Sequence, residues 1–214
     1  MCQAASRGWN YDEPHVLASP PVNAFLVSTG VVALAEIGDK TQLLALLLAA
    51  RFKKPVPIIL GILVATLANH ALAGALGAWL AQAIGAEAMR WILGASFIAM
   101  AVWIMIPDRI DGAEPDAPRF GVFVTTLVAF FLVEMGDKTQ IATVALAARY
   151  DALIAVVAGT TLGMMIANVP AVLLGEIATR KISPTVVHAI AALIFALLGI
   201  AALWGALPDW MFGK

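Results

Sequence analysis

The sequence is poor in charge and almost without cysteine. Only 13% of its 214 residues are charged, against about a quarter in an ordinary soluble domain. Thirteen basic residues are balanced by fourteen acidic ones, which leaves no excess of positive charge for a nucleic-acid backbone. Cys2 is the single cysteine, so the chain cannot form an internal disulfide framework or a cysteine-based zinc site. These absences exclude a nucleic-acid binder and a disulfide-stapled domain.

Apolar surface is what the sequence has in excess. Hydrophobic residues make up 62% of the chain and the mean hydropathy is +0.92, more than one water-soluble core can bury. A helix needs about 20 apolar residues to cross the hydrocarbon layer of a bilayer. We therefore predict an all-α, polytopic membrane protein in a lipid bilayer. Its six predicted spans are Asn23–Ala50, Val56–Ala83, Trp91–Ile106, Phe120–Ala148, Ala152–Thr179 and Pro184–Leu207. Four of them, the first, second, fourth and fifth, are longer than needed, which favours tilt or a break.

Polar stretches divide the chain into five parts. We predict an N-terminal tail (1–22) without the apolar core of a signal peptide, two membrane units (23–106 and 120–207), an acidic loop between them (107–119) and a C-terminal tail (208–214). The loops after the first, third and fifth spans carry seven Lys and Arg residues, whereas the segments on the opposite side carry four. This bias predicts a cytoplasmic acidic loop and both termini outside, in a bacterial inner membrane.

The two membrane units repeat each other. Glu36–Gln42 reads EIGDKTQ and Glu134–Gln140 reads EMGDKTQ, 98 residues later. The same offset pairs His70 with Asn168 and further glycine and phenylalanine positions. A three-helix unit is therefore duplicated. Because three crossings are an odd number, the second unit enters the membrane from the opposite side. The sequence thus predicts two inverted three-helix repeats, an architecture that places the substrate site near the midplane between the repeats.

Each repeated block puts ionisable groups inside an apolar span. Such groups cost at least about 2.5–3.5 kcal/mol each in a membrane, so two copies indicate a function. The spacing of three and four residues predicts that Glu36, Asp39 and Lys40 share one helical face, and the second block repeats this spacing. Gly38 and Gly136 allow close approach of another backbone or local unwinding.

The four carboxylates of the two blocks are the predicted metal ligands: Glu36, Asp39, Glu134 and Asp137. Lys40 and Lys138 are predicted charge partners, since an ammonium group has no lone pair. Ionised together, the six groups carry a net charge of about −2, which one divalent cation or two protons would neutralise. Metal and protons would then compete, as in an exchanger. Hard oxygen donors suit Ca²⁺, Mn²⁺ or Mg²⁺.

Other polar residues in the spans are candidates for further ligands or for a second layer around the site. They are Thr41, Gln42, Thr139, Gln140, Asn69, His70 and Asn168. His70 is either a packing residue or a proton relay. His188 is predicted to have a structural role at a helix interface.

The doubled E-x-G-D-K-T block, Glu36–Thr41 and Glu134–Thr139, resembles the Gdt1 family of cation/proton exchangers (uncharacterised protein family sixteen). The resemblance covers nearly the whole chain outside the tail and the central loop. It implies a transporter that exchanges Mn²⁺ or Ca²⁺ for protons, and bacterial members resemble manganese exporters. The acidic positions of the family motif fall on Glu36, Asp39, Glu134 and Asp137, without departure.

The predicted function is export of a divalent cation, Mn²⁺ or Ca²⁺, in exchange for protons, with no bound cofactor and no enzymatic activity. An oligomer is compatible with this function. An exporter of amino acids or other small organic solutes is the main alternative, and competition by Mn²⁺ or Ca²⁺ distinguishes the two. An intramembrane aspartyl protease using Asp39 and Asp137 is disfavoured, because the adjacent lysines would keep a carboxyl dyad from sharing a proton. A channel is disfavoured because the cluster should bind ions tightly.

Overall fold

Helices account for nearly all of the chain that the computed structural model describes, residues 20–84, 86–106, 120–174 and 184–204. The described helices are α1 (Pro20–Glu36), α2 (Lys40–Phe52), α3 (Pro55–Ala83), α4 (Ala86–Ile104), α5 (Gly121–Glu134), α6 (Lys138–Arg149), α7 (Leu153–Leu174) and α8 (Pro184–Trp204). At the offset of 98, α1 to α4 correspond in order to α5 to α8. The all-α class is confirmed.

Four helices are long and apolar enough to cross a membrane: α3, α4, α7 and α8. The pair α1 and α2 also passes when it is taken as one span with a bend of 70°. This gives up to five candidate crossings among the described residues, and α5 is a shorter apolar helix. The chain is therefore an integral membrane protein by length and composition of its helices.

The predicted spans and the helices differ mainly at two breaks. Spans two, three, five and six correspond to α3, α4, α7 and α8, whereas the first and the fourth spans are each divided into two helices. α4 begins at Ala86, before the predicted Trp91, and α1 begins at Pro20, within the predicted tail. The rest of that tail, the acidic loop 107–119, the C-terminal tail and the end of the fifth span lie outside the described residues.

The main packing partner of each long helix lies in the other repeat. α1 packs on α7, and its equivalent α5 packs on α3, while α4 and α8 pack on each other. Buried side chains form two clusters: one joins α4 and α8 to α1 and α6, and the other joins α2, α3, α5 and α7. The two repeats are therefore interlocked, and the ends of the broken helices lie between them.

Two glycines make reciprocal close contacts across the repeats. A Cβ added to Gly61 would lie 2.9 Å from the carbonyl oxygen of Phe123, and one added to Gly159 would lie 2.5 Å from that of Phe25. Both pairs are related by the offset of 98. Only glycine permits such close approach of helices. Reciprocal contacts of equivalent residues are what a local two-fold axis produces.

Candidate metal centre

Both repeated blocks interrupt a helix at their glycine. Gly38 has φ 85° and Gly136 has φ 80°, backbone angles that favour glycine. The following aspartates are extended, and Asp39 caps α2 by accepting a hydrogen bond from the backbone N–H of Lys40. The prediction that Glu36 and Asp39 share a helical face is therefore wrong, because the helix ends between them. The local unwinding that the glycines allowed is what the structure has.

Two glutamines hold these breaks in place. The Gln42 side-chain oxygen accepts a hydrogen bond from the Gly38 N–H at 3.0 Å, and Gln140 does the same for Gly136 at 2.7 Å. Gln42 also donates from Nε2 to the carbonyl oxygen of Ala167 in α7, at 2.9 Å. Because these oxygens bind the backbone, both glutamines stabilise the breaks instead of pointing an oxygen at the carboxylates.

Three of the four predicted carboxylates come together. Glu36, Glu134 and Asp137 each offer an oxygen, and these oxygens lie within 4.8 Å of one another. All three side chains are buried. Oε2 of Glu36 accepts a hydrogen bond from Thr41 Oγ1 at 2.5 Å, and Oε2 of Glu134 accepts one from Thr139 at 3.0 Å. The second oxygen of each glutamate, Oε1, is buried and has no hydrogen-bond partner among the described residues.

The lysines form ion pairs from one motif to the other. Lys40 Nζ lies 2.6 Å from Asp137 Oδ1, and Lys138 Nζ lies 3.2 Å from Asp39 Oδ2. Their predicted role as charge partners agrees with this geometry, but each lysine pairs with the aspartate of the other repeat instead of with the glutamate of its own. Asp39 lies outside the group of three carboxylates. The two ion pairs are related to each other by the offset of 98, as the two glycine contacts are.

The charge of the site follows from this pairing. Each aspartate is opposed by one lysine, so the two ion pairs cancel. Among the described residues, Glu36 and Glu134 have no such partner, and they carry the excess of two negative charges when both are ionised. Two buried, uncompensated carboxylates are strongly unfavourable in a membrane. The cluster is therefore suited to bind a divalent cation through oxygen ligands.

The remaining predicted residues, Asn69, His70 and Asn168, are buried inside the bundle. Asn69 donates to the carbonyl oxygen of Phe131 at 3.1 Å, one turn before Glu134. Asn168 donates to the carbonyl oxygen of Met164 at 3.1 Å. His70 is fully buried, and neither ring nitrogen has a hydrogen-bond partner among the described residues.

His188 in α8 contacts the first break. Its Nε2 lies 2.8 Å from the carbonyl oxygen of Ile37 and donates to it, because a carbonyl oxygen only accepts. This carbonyl is one of those freed where α1 ends. The sequence predicted only a structural role for His188, and nothing in the local pattern indicated its partner.

Gly136→Ala is expected to weaken divalent-cation binding at least about 10-fold, as is usual when a group that orients metal ligands is disturbed. The added Cβ meets no atom within 4 Å. The loss in free energy of unfolding therefore comes from the positive φ alone and is about 1–2 kcal/mol. Gly121→Ala is the matched control, since Gly121 has φ 84° and equally open space at the start of α5. Thermal unfolding should shift equally in both variants, whereas the affinity for Mn²⁺, measured by calorimetry, should fall only in Gly136→Ala. Equal Mn²⁺ affinity in the two variants would contradict a role for this break in placing the carboxylates.

Two broken helices whose ends face each other and carry carboxylates are typical of one class of protein, the membrane cation transporters built from repeats. The particular family follows from comparison with known proteins. The protein-family model described as "Divalent cation/proton antiporter GDT1" matches residues 24–112 and 122–210. The chain belongs to this family. The two matches begin 98 residues apart, which confirms the duplication inferred from the sequence.

Curated relatives cover most of the chain. A protein of Vibrio cholerae serotype O1 described as "Putative manganese exporter" is 51% identical over 181 residues, 84% of this chain and 90% of the relative. A GDT1-like protein of Synechocystis is 30% identical over 86% of this chain and 98% of its own length. GDT1-like protein 4 of Oryza sativa subsp. indica is 29% identical over 81% of this chain and 70% of its own length. No solved structure matches the chain.

Proposed function

We propose that the protein exports Mn²⁺ from the cytoplasm in exchange for protons, through the pocket formed by the two repeated blocks. The observation that carries this proposal is the group of Glu36, Glu134 and Asp137, whose oxygens lie within 4.8 Å of one another. Once the lysines have paired with the aspartates, this pocket keeps an excess of two negative charges. One divalent cation would balance that excess.

Glu36, Glu134 and Asp137 are the proposed direct ligands. Each glutamate has a buried oxygen available for the ion, and its other oxygen is oriented by Thr41 or Thr139. Asp39 is the fourth carboxylate of the sequence prediction, and we assign it to the surrounding layer because it is held between Lys138 and the start of α2.

Manganese is the proposed cargo, and Ca²⁺ is the expected competitor. Both ions accept carboxylate and carbonyl oxygens. The family description supports a divalent cation, and the name of the Vibrio cholerae relative supports manganese.

Protons are the proposed coupling ion because they would cancel the same charge. With the cation gone, two protons on the carboxylates would restore neutrality in a medium where net charge is costly. A pocket that is stable with metal or with protons, but not empty and ionised, exchanges one for the other. The antiporter description of the family supports this coupling.

The proposed topology is six crossings as two inverted three-helix repeats. In this topology α1 with α2, and α5 with α6, each form one broken crossing. The reciprocal ion pairs and glycine contacts support a two-fold relation between the repeats. The positive charges of the loops favour both termini outside a bacterial inner membrane.

The purified protein in liposomes tests this function. Vesicles that are acidic inside should take up Mn²⁺ against its gradient, and a protonophore should abolish the accumulation. Millimolar Ca²⁺ should compete, whereas amino acids should not. Mn²⁺ uptake that is indifferent to the proton gradient would contradict the exchange. Transport of an amino acid without competition by Mn²⁺ or Ca²⁺ would favour the organic-solute exporter instead.

A further inference from the structure

α4 and α8 form a closely packed pair that spans the two repeats. The rings of Phe97 and Phe195, which are repeat-equivalent, have centroids 5.9 Å apart. A Cβ added to Gly94 would lie 3.1 Å from the carbonyl oxygen of Gly199, and one added to Gly199 would lie 2.9 Å from that of Gly94. Close backbone contact without interposed side chains indicates that the two helices form one unit.

This α4–α8 pair does not lie symmetrically between the repeats. Within the described residues, α4 packs on α6, but the equivalent packing of α8 on α2 is at most marginal. Likewise α8 contacts α1, but α4 makes no comparable contact with α5. The buried clusters agree, since α4 and α8 share theirs with α1 and α6 and not with α2 and α5.

Burial of equivalent side chains records the same asymmetry. Ala145 of α6 is 5% exposed, whereas its equivalent in α2, Leu47, is 37% exposed. The α6 face closes a cavity of about 330 Å³ with α4 and the end of α3, and that cavity is almost entirely apolar. The equivalent face of α2, formed by Leu43, Leu46, Leu47 and Ala50, lines an open groove instead.

Polar contacts show the same one-sidedness. His188 of α8 donates to the carbonyl oxygen of Ile37 at the first break. The repeat-equivalent residue in α4 is Arg90, and the equivalent carbonyl belongs to Met135. Arg90 Nε is buried without a hydrogen-bond partner among the described residues, and Met135 is 55% exposed. One half of the molecule thus makes a set of contacts for which the other half holds the matching residues.

We propose that the α4–α8 pair is the moving unit of transport and alternates between two packings. In the described packing it lies on α1 and α6. In the second it lies on α5 and α2, α8 covers the apolar face of α2, and Arg90 approaches the second break. The proposal rests on the proposed exchange function and adds the elements that move. Two repeats with the same contact surfaces give two arrangements of similar energy, which is what a bistable transporter needs.

Paired cysteines test the second packing directly. In a Cys2→Ser background, which removes the only cysteine, Ile92→Cys with Ile141→Cys joins α4 to α6 across the cavity. The repeat-equivalent pair, Ile190→Cys with Leu43→Cys, joins α8 to α2. All four positions are between 37% and 49% exposed, so cysteine should be tolerated. Ile92→Cys with Leu43→Cys is the control, because α4 and α2 are not packed together in either arrangement.

With a short bifunctional thiol reagent in membranes, both matched pairs should cross-link and the control should not. Each cross-link should stop Mn²⁺ flux, and reduction should restore it. Failure of the α8–α2 pair to cross-link, in an active protein whose α4–α6 pair does, would overturn the moving unit and leave the proposed function intact. Undiminished flux with either pair cross-linked would also overturn it. If a pair fails to fold, Ser96→Cys with Val144→Cys, and the repeat-equivalent Ile194→Cys with Leu46→Cys, make the same comparison at four half-buried positions.

Discussion

Replacement of Glu36 by glutamine is expected to abolish proton-driven Mn²⁺ uptake and to weaken Mn²⁺ binding by more than about 100-fold. Glutamine keeps the shape of the side chain and an oxygen that can accept from Thr41 Oγ1, but it removes one of the two uncompensated charges. A bound divalent cation would then leave an unbalanced positive charge in a buried site. Uncompensated buried charge costs about 3–5 kcal/mol, and every 1.4 kcal/mol is tenfold in binding.

Glu134→Gln should behave in the same way, because the two glutamates occupy equivalent positions and each has one buried oxygen without a hydrogen-bond partner among the described residues. Glu87→Gln is the matched control, since Glu87 is an exposed carboxylate in the first turn of α4. Binding can be followed by calorimetry and uptake in the liposome assay. Flux within about twofold of the wild type in both glutamate variants, a range well below the loss expected for a buried charge, would remove the glutamates from the transport site.

Lys138→Met is expected to lower the free energy of unfolding by about 3–5 kcal/mol. The Lys138–Asp39 ion pair is fully buried at both ends, whereas the side chain of Lys40 is 23% exposed. Removing one partner of a buried pair leaves the other charge uncompensated, at a cost of about 3–5 kcal/mol.

A double-mutant cycle separates this charge effect from lost packing. Asp39→Asn combined with Lys138→Met removes both charges and should recover most of the stability lost in Lys138→Met alone. Unfolding in detergent, followed by tryptophan fluorescence, measures each free energy of unfolding. The pairing would be contradicted if the double variant were less stable than Lys138→Met.

The repeat is the part of this structure that the sequence predicts best. Once the structure gives one ion pair, one glutamine contact and one threonine–glutamate hydrogen bond, the offset of 98 between Glu36–Gln42 and Glu134–Gln140 gives the second of each. Helical class and the position of most spans follow from the length of the apolar stretches. These features depend on local hydrophobic pattern and on duplication, and both can be read directly from the sequence.

The pairing inside the site could not be predicted, because it depends on how the breaks turn the chain. In an unbroken helix, the four-residue spacing would make Lys40 a neighbour of Glu36. The positive φ at Gly38 ends α1 there, and Lys40 meets Asp137 of the other repeat instead. The sequence allows unwinding at this glycine but does not favour it over close helix packing, for which glycine is equally suited in a membrane.

The asymmetry of the α4–α8 pair lies beyond any sequence pattern. Two repeats of the same sequence predict symmetric contacts, and a departure from symmetry is a property of one conformation. The contact of His188 with Ile37 could not be predicted either. The equivalent residue in the first repeat is Arg90, so comparison of the repeats does not indicate it.

An anomalous-scattering map of crystals soaked in Mn²⁺ tests the central claim most directly. A single strong peak should lie between α1 and α5, with Glu36, Glu134 and Asp137 as its carboxylate ligands, and it should vanish in crystals of Glu36→Gln. Manganese bound only at other carboxylates, or at Asp39 without either glutamate, would show that the shared pocket of the two repeats is not where the ion is held.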